Sequence, residues 1–257
     1  VNLTAGIYNN ITVTLAGCVS NSVGPVILTD PNPPVTPVVP AVAPLCSGNN
    51  INLFASTTTT GTATYLWSGP SFTSGLQNPV IVGATVVNSG TYSVVVTIAG
   101  CTSAAASVNV VVNQTPVTPT ASNNSPVCTN NTLTLNSATS TPGTMTYAWT
   151  GPNGFSSTLQ NPTIPNVTTA ANGIYNVIFT ASTGNCTSAT GVITVVINAT
   201  PFISNGTAVN PTACGSATGS INLNGLLAST FYSIGYTKNT IPQNTTGTTN
   251  ATGTLTV

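Results

Sequence analysis

Tyr65-Leu66-Trp67-Ser68-Gly69-Pro70 is followed by Leu76-Gln77-Asn78-Pro79, by Gly90-Thr91-Tyr92 and by Cys101. The same order returns as Tyr147-Ala148-Trp149-Thr150-Gly151-Pro152, Leu159-Gln160-Asn161-Pro162, Gly173-Ile174-Tyr175 and Cys186. The offset is 82 residues at the tryptophans, 83 at Leu-Gln-Asn-Pro and 85 at the cysteines. Such slow drift reads as one- or two-residue loop insertions within a shared fold. Each copy opens on a cysteine, Cys46 or Cys128, and closes through an alternating segment into Thr115-Pro116 or Thr200-Pro201. Thr91–Ile98 and Ser107–Val112 alternate with a period of two around Ala99-Gly100-Cys101, which predicts a β-hairpin. Ile174–Thr180 and Val192–Ile197 repeat it, and Leu133–Asn136 and Tyr147–Thr150 supply earlier strands.

Working outward, Gly6-Ile7-Tyr8 through Cys18 matches the second half of the repeat, with Tyr-to-Cys spacings of 10, 9 and 11 in the three copies. Cys214 resembles an opening cysteine, and residues 221–257 hold strands with no closing half. The expected organisation is therefore a C-terminal half-repeat at 1–34, a Pro-rich linker at 35–45, full repeats at 46–114 and 115–200, and an N-terminal half-repeat at 201–257. Residues 1–34 of the next unit would complete that last half. The units could be periods of one covalent tandem array or separate subunits that donate strands into a neighbour. The run Asp30-Pro-Asn-Pro-Pro-Val-Thr-Pro-Val-Val-Pro-Ala-Val-Ala-Pro44 predicts a stiff extended or polyproline II linker, and the joint at 115–119 a shorter one.

Composition narrows the function classes. Only 1% of residues are charged, with one Lys (Lys238), one Asp (Asp30) and no His, against 40% hydrophobic residues. Thr, Ser and Asn replace the missing charge, and Thr and Val favour strands. No basic footprint for nucleic acid or anionic membrane exists, and no run of about 18 apolar residues predicts a membrane span. Catalysis needs proton-shuttling or metal-holding groups, and the chain holds no carboxylate pair, triad or Cys–His couple. No cofactor and no enzymatic activity are expected. A calcium site is excluded for want of clustered acidic oxygens.

The six cysteines fall as one opener and one closer per repeat. Pairing within repeats predicts Cys46–Cys101, Cys128–Cys186, and Cys214 with Cys18 of the following unit. Loops of about 55–60 residues would make each bridge stabilising by roughly 4 kcal/mol in the chain-entropy treatment. Such bridges require an oxidising compartment, and free buried thiols or a metal site are the alternatives. Lys238 and Asp30 both fall in the half-repeats, so the candidate roles are unrelated exposed charges, a salt bridge or an isopeptide bond.

Trp67 and Trp149 stand where an Ig-like domain carries its core Trp, and Tyr92, Tyr175 and Tyr8 resemble the tyrosine of the Ig corner. The expected fold is all-β: tandem Ig-like sandwiches in a rod, with incomplete domains at both ends. A departure from the Ig pattern is that Val94 and Val177 occupy the place of the usual Cys two residues after that Tyr. Phe72 and Phe155, beside the Gly-Pro turns, are the best candidates for exposed ligand-facing aromatics, for example toward carbohydrate.

The whole pattern, from opening Cys to closing Cys and Thr-Pro, resembles the Ig-like or PKD-like repeats of giant surface adhesins in gliding Bacteroidetes. Cys214-Gly-Ser-Ala-Thr-Gly-Ser-Ile-Asn-Leu-Asn-Gly, with Tyr232-Ser-Ile-Gly-Tyr236, is similar to the SprB-type repeat of those proteins. Gly6-Ile-Tyr-Asn-Asn-Ile-Thr-Val-Thr and Gly24-Pro-Val-Ile-Leu-Thr-Asp-Pro-Asn-Pro-Pro34 are similar to its second half. The resemblance implies export by the type IX route to the cell surface and a role as an adhesion or gliding filament. Its partners would be adjacent copies of the same repeat, with surface glycans as possible ligands.

Overall fold

The computed structural model describes residues 2–257. Its regular structure is strand throughout, apart from three short 3-10 turns at Val86–Asn88, Pro152–Gly154 and Thr169–Ala171. The chain divides into two compact units. One runs to Pro119 and takes in Thr139–Tyr147 and Ile178–Thr190; the other comprises Thr120–Ala138, Ala148–Val177 and Gly191–Val257.

In the first unit, strand Gly90–Ile98 is central. It pairs antiparallel with Ala63–Gly69, Trp67 lying opposite Val94, and with Ala106–Val110 on its other side. Cys101–Thr102 folds back on its end, and Phe72–Ser74 borders Ala63–Gly69. The facing layer is Ile51–Asn52 paired with Val80–Ile81, and a parallel pair, Leu45–Cys46 with Val112–Asn113, closes an edge. Between the layers lies a core that includes Ile51, Leu53, Trp67, Tyr92, Val94 and Val110. This is an Ig-like β-sandwich, and period-two alternation produces it: from Tyr92 to Ile98 every second residue is buried.

The second repeat builds the same arrangement. Gly173–Ala181 carries the same burial pattern as Gly90–Ile98. Within the second unit its first five residues pair with Gly191–Val195, Trp149 and Thr150 pair with Ser157 and Ser156, and Leu133–Ala138 takes Thr120–Asn123 and Thr163–Ile164 on its two sides. Val127–Cys128 and Ile197–Asn198 form the matching parallel pair. Further along, Asn205–Val209, Ser220–Asn224 and Leu255–Thr256 form a small sheet, and Phe231–Lys238 with Ile241–Thr248 a long hairpin.

The repeated motif is a set of interlocking parts. Trp67 Nε1 donates to the Gln77 carbonyl at 3.1 Å, while Gln77 Nε2 donates to the Ala55 carbonyl and the Ala55 N–H to Asn78 Oδ1. Leu53 N–H continues the ladder to the Pro79 carbonyl at 3.0 Å. The second repeat copies this through Trp149, Gln160, Asn161, Ser137 and Leu135. Leu-Gln-Asn-Pro is thus a bend between strands whose side chains bind the neighbouring backbone and whose Gln carbonyl holds the indole.

Trp-x-Gly-Pro and Gly-x-Tyr fit each other in the same way. Tyr92 OH donates to the Asn88 carbonyl at 2.9 Å and Tyr175 OH to the Ala171 carbonyl at 3.1 Å. Each tyrosine ring lies so close over Gly69 or Gly151 that a Cβ there would collide with it. Gly90 and Gly173, at φ +142 and +135, bring their backbones against Pro70 and Pro152. Only glycine meets both conditions.

The Pro-rich residues 35–45 pack against the first sandwich: Val38 and Ser56 exchange two backbone hydrogen bonds, and Val39 and Val42 lie against the core. Pro34 and Pro37 are buried, as are Pro116 and Pro119 at the joint of the next repeat. Val38 and Ser56 form an isolated β-bridge, and the neighbouring prolines are tolerated because no ladder donor is needed from them.

Gly151→Ala is expected to destabilise the second sandwich by about 1–3 kcal/mol through overpacking against Tyr175. Equilibrium urea unfolding compared with an exposed-glycine control without a positive φ, Gly75→Ala, checks it.

Candidate functional site

The expected Ig disulfide position is apolar: Val94 and Val177 are both fully buried beside Trp67 and Trp149 in sequence-equivalent strands. Sulfur chemistry has moved to the ends of the sandwiches. Cys46 is bonded to Cys186, 140 residues away, and not to Cys101. Cys18, Cys101, Cys128 and Cys214 are free thiols. The pairing of opener and closer within one repeat, Cys46–Cys101 and Cys128–Cys186, is therefore corrected. The bond runs from the opener of one repeat to the closer of the next.

The geometry explains why. Cys46 lies opposite Asn113 in the parallel pair that ends the first sandwich. The Thr183–Cys186 turn comes down on that same spot, with Cys186 Sγ 4.0 Å from the Asn113 carbonyl. Gly184, at φ +74, approaches Asn113 so closely that a Cβ would collide with its amide. Cys101 belongs to a hairpin at the far end of its own strands, so the opener and closer of one repeat sit at opposite ends of a sandwich. Two conditions, strand length and the closeness of a turn to the preceding repeat's last strand, were not visible in residue spacing.

All three closing cysteines occupy one local structure. Ser103, Ser188 and Ser20, each two residues after its cysteine, donate their hydroxyls to the next carbonyl at 2.8 Å. Their Oγ atoms accept from the N–H of Val96, Phe179 and Val13 at 3.0 Å. Tyr8 OH donates to the Thr4 carbonyl at 2.6 Å, the same four-residue reach as the other two corner tyrosines. Residues 6–28 thus hold the closing half of a sandwich in miniature: Gly6–Tyr8 pairs with Val26–Leu28, and Thr14–Leu15 with Cys18–Val19. Yet Val13 is 70% exposed where Val96 and Phe179 are fully buried. The remainder of the core that would cover it is not supplied by this segment.

The small sheet and hairpin of 205–257 show the complementary feature. An apolar cleft of about 200 Å³ lies within the second unit, lined by Ile203, Leu223, Leu226, Tyr232, Ile234 and Leu255 among others.

Phe72 and Phe155 prove half-buried rather than presented on loops. They pack edge-on to Tyr92 and Tyr175 with ring centroids 5.9 and 5.4 Å apart. Asp30 and Lys238 are both exposed, Lys238 at the end of its strand opposite Ile241. Among the described residues no group of three His, Cys, Asp or Glu could hold a metal ion, and no helix is long and apolar enough to cross a membrane.

No family model matches the chain, and no curated protein does. Solved structures that resemble it include murine CEACAM1b, at 15% identity and TM-score 0.35, covering 60% of this chain and 96% of that one. Drosophila OTK extracellular domains 3–5 match at 17% identity and TM-score 0.43, covering 73% and 69%. The N-terminal four Ig domains of Dscam1 isoform 6.9 match at 17% identity and TM-score 0.30, covering 72% and 52%. Superpositions this loose carry no argument about function; the Ig-like description rests on the strand pairing and the tyrosine corners.

Two outcomes follow. Cys46→Ser and Cys186→Ser are each expected to destabilise the isolated chain by about 2–5 kcal/mol, the double variant by no more, and Cys101→Ser to leave it unchanged. Urea unfolding under non-reducing conditions separates this from pairing within repeats. Burial raises the phenol pKa of Tyr92 and Tyr175 above 10.0. The folded state then keeps protons that the unfolded state releases. Stability is full below about pH 10 and falls above it by up to about 1.4 kcal/mol per pH unit for each tyrosine. Circular dichroism melting across pH 5–11 should show a plateau, then a decline that is shallower in Tyr92→Phe.

Proposed function

We propose that this chain is a structural repeat segment of an extracellular cell-surface filament or adhesin stalk, and that it is not an enzyme. The observation that carries this reading is the Cys46–Cys186 bond, which staples one Ig-like repeat to the closing hairpin of the next. A disulfide across so long a loop limits the unfolded chain by roughly 5 kcal/mol in the chain-entropy treatment. It persists in oxidising, extracytoplasmic surroundings. A nearly uncharged Thr/Ser/Asn surface supports the same reading, since its interactions change little with salt and pH.

Residues 201–257 of one copy are read as one half of a further sandwich, completed by residues 1–34 of the next copy. The exposed valine face of 6–28 and the apolar cleft of 205–257 favour this completion. The resemblance to repeats of gliding Bacteroidetes adhesins supports surface display, type IX export and a role in adhesion or gliding. The second reading is a homopolymeric fibre in which separate chains donate residues 1–34 into a neighbour. Lys238 and Asp30 then meet only in a completed sandwich, where they could form an ion pair.

Electron microscopy of the native material is expected to show filaments, and its polypeptide, fully denatured and reduced, to be many times 25.6 kDa. A filament of chains near 25.6 kDa would transfer the assignment to the strand-donated fibre. Dispersed monomers would oppose both readings.

A further inference from the structure

We propose that Cys128 and Cys214 of one copy form disulfides with Cys18 and Cys101, respectively, of the next copy. Every repeat junction is then closed as the internal Cys46–Cys186 junction is. This rests on the reading that residues 201–257 of one copy are completed by residues 1–34 of the next.

The internal bond defines a rule with two parts. An opening cysteine sits opposite the last strand of its own sandwich, as Cys46 does opposite Asn113. The closing cysteine of the following sandwich comes down on that strand, as Cys186 does at the Asn113 carbonyl. Cys128 satisfies the first part, lying opposite Asn198 in the parallel pair and exposed. The sandwich that follows is the composite one, and its closing cysteine is Cys18 of the next copy. Cys18 is exposed and sits in the same turn as Cys101: Ala16-Gly17 and Ala99-Gly100 are left-handed at φ 49 and 87, and 51 and 82. The same Ser hydroxyl bridge follows each.

Cys101 satisfies the second part of the rule. Its thiol donates to the Pro31 carbonyl at 3.4 Å, just past Val26–Leu28, the last strand of residues 1–34. Tyr8 lies opposite Val26 as Tyr92 lies opposite Val108, so Asp30-Pro31 stand where Val112-Asn113 stand in the first sandwich. The opening segment that would lie beside them belongs to another copy, where Cys214 sits in a turn between Asn205–Val209 and Ser220–Asn224. Cys214 is exposed and followed by Gly215 at φ +75, as Cys46 is followed closely by Gly48 at φ +93. All six cysteines are thus used, each opener with the closer one sandwich further on. The alternative Cys214–Cys18 would join the two ends of one sandwich, the arrangement that the Cys46–Cys186 bond rejects.

Each new bond forms from two thiols. They lose two protons and two electrons to an acceptor disulfide, either protein-borne or glutathione disulfide, which leaves as two thiols. A chain linked at both positions is covalently continuous with its neighbours even where the polypeptide is not.

The test mixes unlabelled and 15N-labelled chains, assembles them with glutathione disulfide, blocks remaining thiols with N-ethylmaleimide, and maps chymotryptic peptides by mass spectrometry. Mixed-isotope peptides joining Cys128 to Cys18 and Cys214 to Cys101 are expected, with Cys46–Cys186 always of one isotope. On non-reducing gels, Cys128→Ser and Cys214→Ser should each retain the ladder of linked chains, and the double variant should run as monomer. Electron microscopy of the same samples with reductant reads assembly independently of sulfur. Assembled material in which the four thiols are alkylated, or in which Cys18 is linked to Cys214, overturns the pairing and leaves the assembly reading standing. Absence of any oligomer, oxidised or reduced, overturns the assembly reading and the pairing with it.

Discussion

With one cation and one anion in the whole chain, polar groups in this protein must be satisfied by neutral hydrogen bonds. The clasp around each core tryptophan is where that constraint is met most fully. The indole N–H binds the Gln77 carbonyl, and the Gln77 amide and Asn78 side-chain carbonyl bind the backbone of Ala55, so neutral groups satisfy one another around the core tryptophan. Among the described residues no buried side-chain nitrogen or oxygen lacks a partner. A buried polar group without one costs about 1–3 kcal/mol, so full satisfaction matters more here than in a protein with ion pairs in reserve.

The clasp also frees the core from needing sulfur. With Trp67 held by Gln77 and roofed by Val94 and Leu53, apolar packing fills the place where Ig domains carry a disulfide. Cysteine then becomes available at the sandwich ends, where apolar area is scarce and a covalent bond has the largest effect on the reach of the unfolded chain. The parallel pair Leu45–Cys46 with Val112–Asn113 presents the opener at that end, and Gly184 lets the next repeat's turn approach closely enough to bond. Thr115 adds two further hydrogen bonds to Ser47 at the same end, and Thr200 does likewise with Thr129.

These features accord with the structural role proposed above. Strength is local and repeated: each sandwich has its own clasp, its own tyrosine corner and its own end-to-end sulfur position. Residues 6–28 and 205–257 depart from this pattern in one consistent way, exposing apolar surface that the full repeats cover.

The repeat, the strands and the core were legible in the sequence because they depend on near neighbours. Alternation sets which face of Gly90–Ile98 is buried, and the recurrence of Trp-x-Gly-Pro and Gly-x-Tyr marks the residues that interlock. The matching of Tyr8 and Cys18 to their counterparts was legible for the same reason. The half-burial of Phe72 and Phe155 was not legible, because an aromatic's exposure depends on what packs beneath it, here a corner tyrosine. The packing of the Pro-rich segment at 35–45 was not legible because its single bridge, Val38 to Ser56, depends on a distant partner. The partner of Cys46 was decided by tertiary structure alone. Spacing along the chain reports how far apart two cysteines are in sequence, whereas a disulfide needs their Cα atoms within about 7 Å. Only folding places the opener and closer of one repeat at opposite ends of a sandwich, and the closer of the next repeat against the opener.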